Sequence, residues 1–413
     1  SGDTIQFAFD ADTGVMWSGL NNTWTGAEPS TGNSPSFTGI DASKGYVPMT
    51  GSYGSNNYNK VNFGQQGFKY TPPAGFRAIN SKNLASPEPA GVIRPQRHFG
   101  ILNWNGNDGS QTIDGLEFTP DFVWIKARRS GEHHFLTDVV RGAGKRLQTS
   151  SANPESDRSS EVTSFVRGGI TVSGTHNEIN GGGVNILAMC WKAGGAAVSN
   201  TDGDITSTVS VNQEAGFSIV QFEAQTTNIN ITVGHGLGKK PAFWMWKSID
   251  STIDWYNYHT YLGYNGWVNL STNSTATTGN DAAWKAEPTS TVLTHGSGLV
   301  NQQTIIMYVW AEIKGYSKFG QYQGNGNSTH GTYVECGFKP AFIIYKKTSG
   351  SDYWEMQNNI IDTYNPVNES LFPNTSDAQS TGRKIDFLAN GFIHRNGNGN
   401  TNEDGHTYIF MAW

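Results

Sequence analysis

The chain contains 413 residues, of which 15% are charged, 12% are aromatic and 50 are glycine. Charged residues make up roughly 25% of average soluble domains, so this composition favours strands and turns over long helices. A net charge of −6 without a basic cluster argues against a nucleic-acid partner, and the absence of any stretch of about 18 apolar residues argues against membrane insertion.

The first predicted segment covers residues 1–92. Strand-like stretches at 6–10 and 15–17 flank an Asp-Thr-Gly hairpin turn, and residues 62–84 combine strand residues with a Pro-Pro-Ala-Gly corner. A resemblance to the second half of SPRY-type, concanavalin A-like β-sandwich domains of bacteriophage structural proteins is carried by FAFDADTGVMWSGLNNTW and NFGQQGFKYTPPAGFRAINSKNL. The first strands of that pattern are absent. We therefore expect an uncovered apolar face, completed by another segment or by a longer parent protein.

An aromatic strand that begins after proline and ends on lysine occurs three times beyond residue 97. It reads PDFVWIK at 120–126, PAFWMWK at 241–247 and PAFIIYK at 340–346. Each phrase lies between an earlier phenylalanine and a closing tryptophan, 92, 93 and 94 residues apart: Phe99 and Trp191, Phe217 and Trp310, Phe319 and Trp413. A period near one hundred residues matches an independent domain. The pattern predicts three separate sandwich domains, at 97–195 (copy 1), 215–314 (copy 2) and 316–413 (copy 3), with a long linker at 193–214 that leaves copy 1 mobile.

The phrase strands have two apolar faces, because alternate residues of FVWIK point to opposite sides and all but the lysine are apolar. The closing strands, such as YIFMAW at 408–413, share this property. Strands covered by layers on both sides have this pattern. The predicted fold is therefore all-β, with tandem antiparallel β-sandwiches: a partial SPRY-like sandwich followed by the three copies. Lys126, Lys247 and Lys346 are predicted to mark strand ends, with their stems covering apolar edges.

The sequence from residue 98 onward is similar to repeated domains of bacteriophage tail-fibre and related virion proteins. The similarity is carried by NTDGDITSTVSVNQEAGFSIV at 200–220, VGHGLGKKPAFWMWK, YSKFGQYQGNG and GFKPAFIIYKK. It implies a β-rich appendage protein on the outside of the virion, with a role in adsorption, that assembles as a homotrimer and contacts other virion proteins. It transfers no binding residue to this chain.

One cluster of acid-base residues could in principle hold a metal ion or a general base. It consists of Glu132, His133, His134 and Asp138. Adjacent histidines on a strand point to opposite faces, so they do not readily share one site, and we expect an exposed turn here.

Other histidines and acidic turns give weaker signals. His176 and His295 both lie fifteen residues before a closing tryptophan, which suggests equivalent hydrogen-bonding loop histidines. The turns at 202–204 and 396–404 lack the spacing and the final acidic ligand of a calcium loop. We therefore predict no enzyme activity, no cofactor and no metal site.

The richest candidate for a binding surface is a run of aromatic residues in copy 2, among asparagine and glycine. It consists of Trp255, Tyr256, Tyr258, Tyr261, Tyr264 and Trp267. Aromatic faces cover the apolar side of a sugar ring while amides bond its hydroxyls, so this composition suits a glycan. The alternative is that these rings line the sandwich core or a contact between subunits.

These observations lead to one prediction of function with two alternatives. The prediction is a bacteriophage virion structural and attachment protein, such as a tail fibre, that adheres to host-surface glycans by multivalent binding. A stand-alone carbohydrate-binding module is the first alternative, and a polysaccharide depolymerase is the second.

Overall fold

The computed structural model describes residues 2–41, 59–64, 66–79, 94–129, 131–224, 231–296 and 302–413. The chain forms two compact units, Ser1–Glu88 and Pro89–Trp413. The described structure is all-β, as predicted. Its only helical elements are two short 3₁₀ turns, Pro29–Thr31 and Pro95–Arg97, and no described helix is both long and apolar enough to cross a membrane.

The first unit contains one antiparallel sheet of three strands, β1 (Ile5–Asp10), β2 (Val15–Leu20) and β3 (Thr23–Trp24). The predicted turn joins β1 to β2: the Asp10 side chain accepts the amide hydrogens of Asp12 and Thr13, and Gly14 adopts a φ of +66°. Alternate residues Ile5 and Phe7 on one face of β1 are 68% and 63% exposed. These two side chains form an exposed apolar patch on β1. Parts of the SPRY-like stretch, at 42–58 and 80–84, lie outside the described residues.

Copy 1 consists of a six-stranded and a three-stranded antiparallel sheet, with strand orders β4-β12-β6-β7-β8-β9 and β10-β11-β5. Its strands are β4 (Phe99–Asn105), β5 (Gln111–Ile113), β6 (Phe122–Ala127), β7 (Phe135–Asp138), β8 (Gly142–Leu147), β9 (Ser156–Asp157), β10 (Val162–Val166), β11 (Gly169–Val172) and β12 (Asn185–Trp191).

Copy 2 repeats this plan with a seven-stranded sheet, β13-β14-β15-β22-β17-β18-β19, and a three-stranded sheet, β16-β21-β20. Its strands are β13 (Val198–Asn200), β14 (Ser207–Asn212), β15 (Phe217–Glu223), β16 (Ile231–Gly234), β17 (Phe243–Ser248), β18 (Tyr256–His259), β19 (Val268–Asn269), β20 (Trp284–Ala286), β21 (Val292–His295) and β22 (Thr304–Trp310). Strands β13 and β14 come from the stretch predicted to be a mobile linker. That prediction is wrong, because β14 pairs with β15 along its length.

Copy 3 has sheets of four and three strands, β23-β29-β25-β26 and β24-β28-β27. Its strands are β23 (Lys318–Gln323), β24 (Tyr333–Glu335), β25 (Phe342–Lys347), β26 (Glu355–Asn358), β27 (Ile385–Leu388), β28 (Gly391–His394) and β29 (Thr407–Ala412). In copy 1, Phe99 pairs with Trp191, but in copy 3 Phe319 pairs with Met411. The offset is two residues, so Phe319 keeps the face that points into the core. The regular spacing of 92 to 94 residues therefore does not reflect one common register.

Each copy has an inner core between its two sheets. In copy 1, Val123 and Ile125 of the phrase strand pack in one buried cluster with Ile170 and Val172 of the facing sheet. Copies 2 and 3 have corresponding clusters. One apolar face of every phrase strand is accounted for by the sandwich to which it belongs.

The other apolar face lies in a core shared by all three copies. The closing tryptophans Trp191, Trp310 and Trp413 contact one another, with ring centroids 5.5 to 5.8 Å apart and steep interplanar angles. Phe122 and Phe342 join the same cluster. The prediction of independent domains on a string is wrong, because a sandwich standing alone needs only one apolar face per sheet, whereas these sheets bury both.

A repeated hydrogen bond joins each copy to the next. The residue just before the strand that follows the phrase strand, β18 in copy 2 and β26 in copy 3, donates to a main-chain carbonyl. Trp255 Nε1 donates to the carbonyl of Gln148 (2.8 Å), and Trp354 Nε1 donates to that of Asn269 (2.9 Å). In copy 1 the equivalent residue is His134, whose Nδ1 accepts the indole N–H of Trp124, so its Nε2 donates to the Phe372 carbonyl at 2.9 Å. Copy 2 thus bonds copy 1, copy 3 bonds copy 2, and copy 1 bonds copy 3, which closes the circuit.

The phrase lysines lie one residue before the ends of β6, β17 and β25, as predicted, but their whole side chains are buried and not only the stems. Lys247 Nζ donates to the carbonyls of Ser248 (2.9 Å) and Ser251 (3.2 Å) and to that of Ala152 in copy 1 (3.1 Å). Burial lowers the pKa of Lys126, Lys247 and Lys346 to about 8. Each lysine serves as a hydrogen-bond donor to its own hairpin turn, and those of copies 1 and 2 also reach the neighbouring copy.

Candidate functional site

Two of the six predicted aromatic residues cannot reach an external ligand. Trp255 is fully buried because its indole forms the bond to copy 1 described above. Tyr258 is also fully buried and stacks on Trp244, with ring centroids 3.9 Å apart. For these residues the structure corrects the prediction of a binding surface and supports the alternative of core packing and copy contact.

The other four residues form what we call the copy 2 aromatic surface: Tyr256, Tyr261, Tyr264 and Trp267. Tyr261 is 51% exposed and Tyr264 is 36% exposed. Tyr256 and Trp267 are half-buried, with ring centroids 6.0 Å apart. The surface therefore offers two accessible phenol rings, and the second pair is supported by the inner core of copy 2.

Local hydrogen bonds set the direction of this surface. His259 is the last residue of β18. Its Nδ1 accepts the Tyr261 amide hydrogen at 3.3 Å, and its Nε2 donates to the Phe410 carbonyl in copy 3 at 3.2 Å. Gly263 then adopts a φ of +70°, which lets the chain turn so that the Tyr264 amide meets Glu287 at 3.2 Å. The exposed rings are therefore carried by a turn fixed at both ends.

Glu287 is the charged group next to these rings. Its carboxylate accepts hydrogen bonds from Lys240 (2.9 Å) and from the Tyr258 hydroxyl (3.3 Å). Partial burial acts to raise the pKa of Glu287, but the hydrogen bonds, first that from Lys240, outweigh it and lower this pKa. The carboxylate is thus held ionised, as an acceptor at the edge of an aromatic surface.

The corresponding turn differs between copies. Asp138, His259 and Asn358 occupy the same position, and each side chain accepts the amide hydrogen of the residue two positions later. Those later residues are Val140, Tyr261 and Ile360. One scaffold position thus presents a different side chain in each copy, and only copy 2 presents an aromatic ring there.

Asp138, a member of the predicted acid-base cluster, is structural. It is fully buried, accepts from Arg141 at 2.7 Å and accepts the Tyr308 hydroxyl of copy 2 at 2.8 Å. Arg141 also reaches Glu155 at 3.1 Å. This buried network joins copies 1 and 2, so the expectation of an exposed turn is wrong for Asp138, and it is also wrong for His134, which is fully buried.

His133 and His134 lie in different surroundings, as predicted, but His176 and His295 do not occupy equivalent positions. His133 contacts Ser150 at 3.0 Å, whereas His134 is fully buried with the partners described above. His295 ends β21, so its equivalent is His394 at the end of β28, not His176. Burial lowers the pKa of His295 to about 4 and that of His394 to about 3. The predicted equivalence of His176 and His295 is therefore wrong.

His176 instead belongs to a group of potential metal ligands in copy 1. Ligand atoms of Glu132, His176 and Glu178 all lie within 4.8 Å of one another. Glu132, Glu161 and His176 line a cleft of about 560 Å³. The sequence pattern indicates Glu132 and His176 separately, and it does not indicate Glu161 or Glu178. The His-x-Glu spacing in a polar loop was the available signal.

The architecture defines a class: an all-β protein in which three antiparallel sandwich copies surround one aromatic core. Residues 94–413 match a family described as a Domain of unknown function (DUF7483), and the chain belongs to that family. The match spans all three copies, in agreement with their shared core. No curated protein and no solved structure matches the chain.

Proposed function

We propose that this chain is a bacteriophage virion attachment protein that adheres to host-surface glycans through the copy 2 aromatic surface. The observation that carries the proposal is the exposure of Tyr261 and Tyr264, at 51% and 36%, on a turn anchored to a rigid core. Large rings held exposed by specific hydrogen bonds are costly to hydrate, and a ligand that covers them recovers that cost. The resemblance of the sequence to virion appendage proteins supports the biological setting.

The chemistry of the surface favours a sugar over a protein partner. A phenol ring covers the apolar face of a pyranose, and Glu287 and the exposed Asn265 offer an acceptor and an amide for hydroxyl groups. A shallow surface of this kind binds weakly. Assembly of the chain into a homotrimer on the virion would multiply such sites and raise the avidity through effective concentration.

A glycan array tests the binding, with the double variant Tyr261→Ala/Tyr264→Ala beside the wild type. We expect the wild-type chain to bind a defined set of glycans and the double variant to lose at least tenfold in apparent affinity, since stacking on two rings is removed. Tyr333→Ala is the matched control, because Tyr333 is 45% exposed on β24, a strand of copy 3. Equal binding by the wild type and the double variant would refute the site.

Two further measurements separate the alternatives. Light scattering after size exclusion distinguishes a homotrimeric virion component from a monomeric carbohydrate-binding module. Release of reducing ends from bound polysaccharide would instead indicate a depolymerase, and loss of that release in a carboxylate variant would establish it.

A further inference from the structure

We propose that copy 1 contains a binding site for a divalent transition-metal ion of the Zn²⁺ type, formed by Glu132, His176 and Glu178. This site is separate from the aromatic surface of copy 2 and does not depend on the proposed adhesion. The prediction of no metal site rested on spacing along the chain, whereas these ligands come together only in the fold.

The ligands come from two segments that are distant in sequence. Glu132 lies in the turn between β6 and β7, and His176 and Glu178 lie in the loop after β11. Their ligand atoms are within 4.8 Å of one another. A tetrahedral Zn²⁺ ion with bonds of about 2.0–2.1 Å holds its ligands roughly 3.4 Å apart. Small side-chain rotations toward a central ion would therefore complete the site.

Glu161 provides an independent indication of a missing cation. It lines the same cleft and is only 8% exposed. One of its oxygens, Oε1, accepts from Arg158 at 2.8 Å, while the buried Oε2 has no hydrogen-bond partner in the described structure. A buried carboxylate oxygen without a partner is costly. A water molecule bound to an ion in this cleft, as its fourth ligand, would give that oxygen a hydrogen-bond donor.

The surrounding groups orient the ligands. Arg146 bonds one oxygen of Glu178 at 2.6 Å, which leaves the second oxygen for an ion. The His176 carbonyl accepts the amide hydrogens of residues 179, 180 and 181, so the loop is held in place. Metal-binding carboxylates usually have such outer hydrogen bonds.

Nearby arginines and the imidazole determine which ions fit. Arg129 lies 3.9 Å from Glu132, and Arg146 and Arg158 neutralise two further carboxylates, so the site is less negative than a calcium site. One imidazole nitrogen among the ligands favours Zn²⁺ over Ca²⁺ or Mg²⁺, which prefer oxygen alone. His176 Nδ1 accepts the Glu178 amide hydrogen at 3.3 Å. A neutral imidazole has only one unprotonated nitrogen, so an ion bound to either ring nitrogen replaces this long hydrogen bond.

The site is adjacent to the contact that closes the circuit between copies 1 and 3. The Glu132 carbonyl accepts the buried Lys126 ammonium at 2.7 Å, and the neighbouring Gly131 amide donates to the Ser376 carbonyl of copy 3 at 3.0 Å. An ion held by Glu132 would immobilise this turn. We therefore expect metal binding to stabilise the whole Pro89–Trp413 unit and not only a surface loop.

Isothermal titration of the untagged full chain with ZnCl₂, after treatment with a chelator, tests the proposal. We expect one Zn²⁺ per chain, a higher melting temperature in its presence, and weaker binding of Ca²⁺ and Mg²⁺. His176→Ala should abolish the stoichiometric binding and the thermal shift. Glu132→Gln should lower the Zn²⁺ affinity at least tenfold and reduce the thermal shift. His330→Ala, which removes an exposed histidine of copy 3, should behave like the wild type.

The proposal fails if the wild type shows no stoichiometric Zn²⁺ binding, or if Glu132→Gln and His176→Ala bind as the wild type does. Circular dichroism confirms that each variant is folded. Should His176→Ala not fold, Glu132→Gln decides the test, since it keeps the shape of the side chain and the carbonyl that Lys126 requires. Co²⁺ in place of Zn²⁺ offers a second readout, a visible absorption band that His176→Ala should lose and that Glu132→Gln should show only at higher Co²⁺ concentration.

Discussion

Replacement of Trp310 by alanine tests whether the three copies fold as one unit. The Trp310 ring lies 5.8 Å from the rings of Trp191 and Trp413, and it stacks on Phe217 at 4.9 Å and Phe243 at 5.6 Å. Removing a buried tryptophan leaves a large cavity and costs about 3–5 kcal/mol. Because the cavity would border all three copies, we expect faster amide hydrogen exchange in peptides from each copy, measured by mass spectrometry.

Trp284→Ala is the matched control. Trp284 is fully buried and also belongs to copy 2, but it lies in that copy's inner core, beside Trp244 at 4.9 Å. A similar loss of about 3–5 kcal/mol is expected, with the fastest exchange confined to copy 2. If Trp310→Ala changed exchange in copy 2 alone, the shared core would not couple the copies, and the interpretation as independent domains would be restored.

Three further predictions follow from buried groups. Burial lowers the pKa of three histidines to about 4, against about 6.5 when unfolded, so the unfolded state takes up protons first as the pH falls. The free energy of unfolding should be unaffected above pH 6.5 and should decrease by about 2 kcal/mol per histidine at pH 5, seen as a lower urea midpoint. A urea midpoint unchanged from pH 7 to pH 5 would contradict this. These residues are His235, His259 and His295. Trp354→Phe removes the hydrogen bond to copy 2 and should lower the free energy of unfolding by about 1 kcal/mol more than Trp244→Phe does. Trp244 is the control because its indole N–H has no partner in the described structure. Equal urea midpoints for the two variants would argue against the role of that bond. Burial raises the pKa of the Cys190 thiol far above its usual range, so a thiol reagent should react with it only after unfolding, and rapid reaction of the native chain would disprove its burial.

The sequence was sufficient to predict the strands and the sandwiches but not their arrangement. The phrase strands are short, bounded by proline and lysine, and rich in aromatic residues, so local pattern determines them. The second apolar face of the phrase strands also indicates how they pack. A strand with two apolar faces needs two covering layers, and the second layer here is another copy, whose position depends on contacts between residues more than a hundred positions apart.

The stretch at 193–214 shows a different limit. Its small and polar residues resemble a linker, yet Val209 and Val211 of β14 alternate as a strand requires, and β14 lies between β13 and β15 in the sheet. Intrinsic strand propensity is weak here, and pairing with β13 and β15 decides the outcome. Composition alone could not distinguish a linker from a paired strand in this stretch.

The candidate sites were predictable only in part. Tyr261 and Tyr264 follow the end of a strand among turn residues, and exposure is what such a context predicts. Trp255 carries an equally aromatic side chain, but its partner, the Gln148 carbonyl, lies 107 residues earlier. Likewise, Glu132 and His176 are 44 positions apart in the chain, and no spacing rule connects them.

The closed circuit of contacts has a consequence for the order of the copies along the chain. Copy 1 bonds copy 3 through the same hairpin position that joins the consecutive copies, and the Phe99 ring lies 6.3 Å from the Trp413 ring. Chain connectivity between copies therefore adds little that the packing does not already supply. A circular permutant, opened at the exposed Lys314 between β22 and β23 and joined by a short linker from residue 413 to residue 94, should retain the same three-copy core, because a closed circuit has no first member.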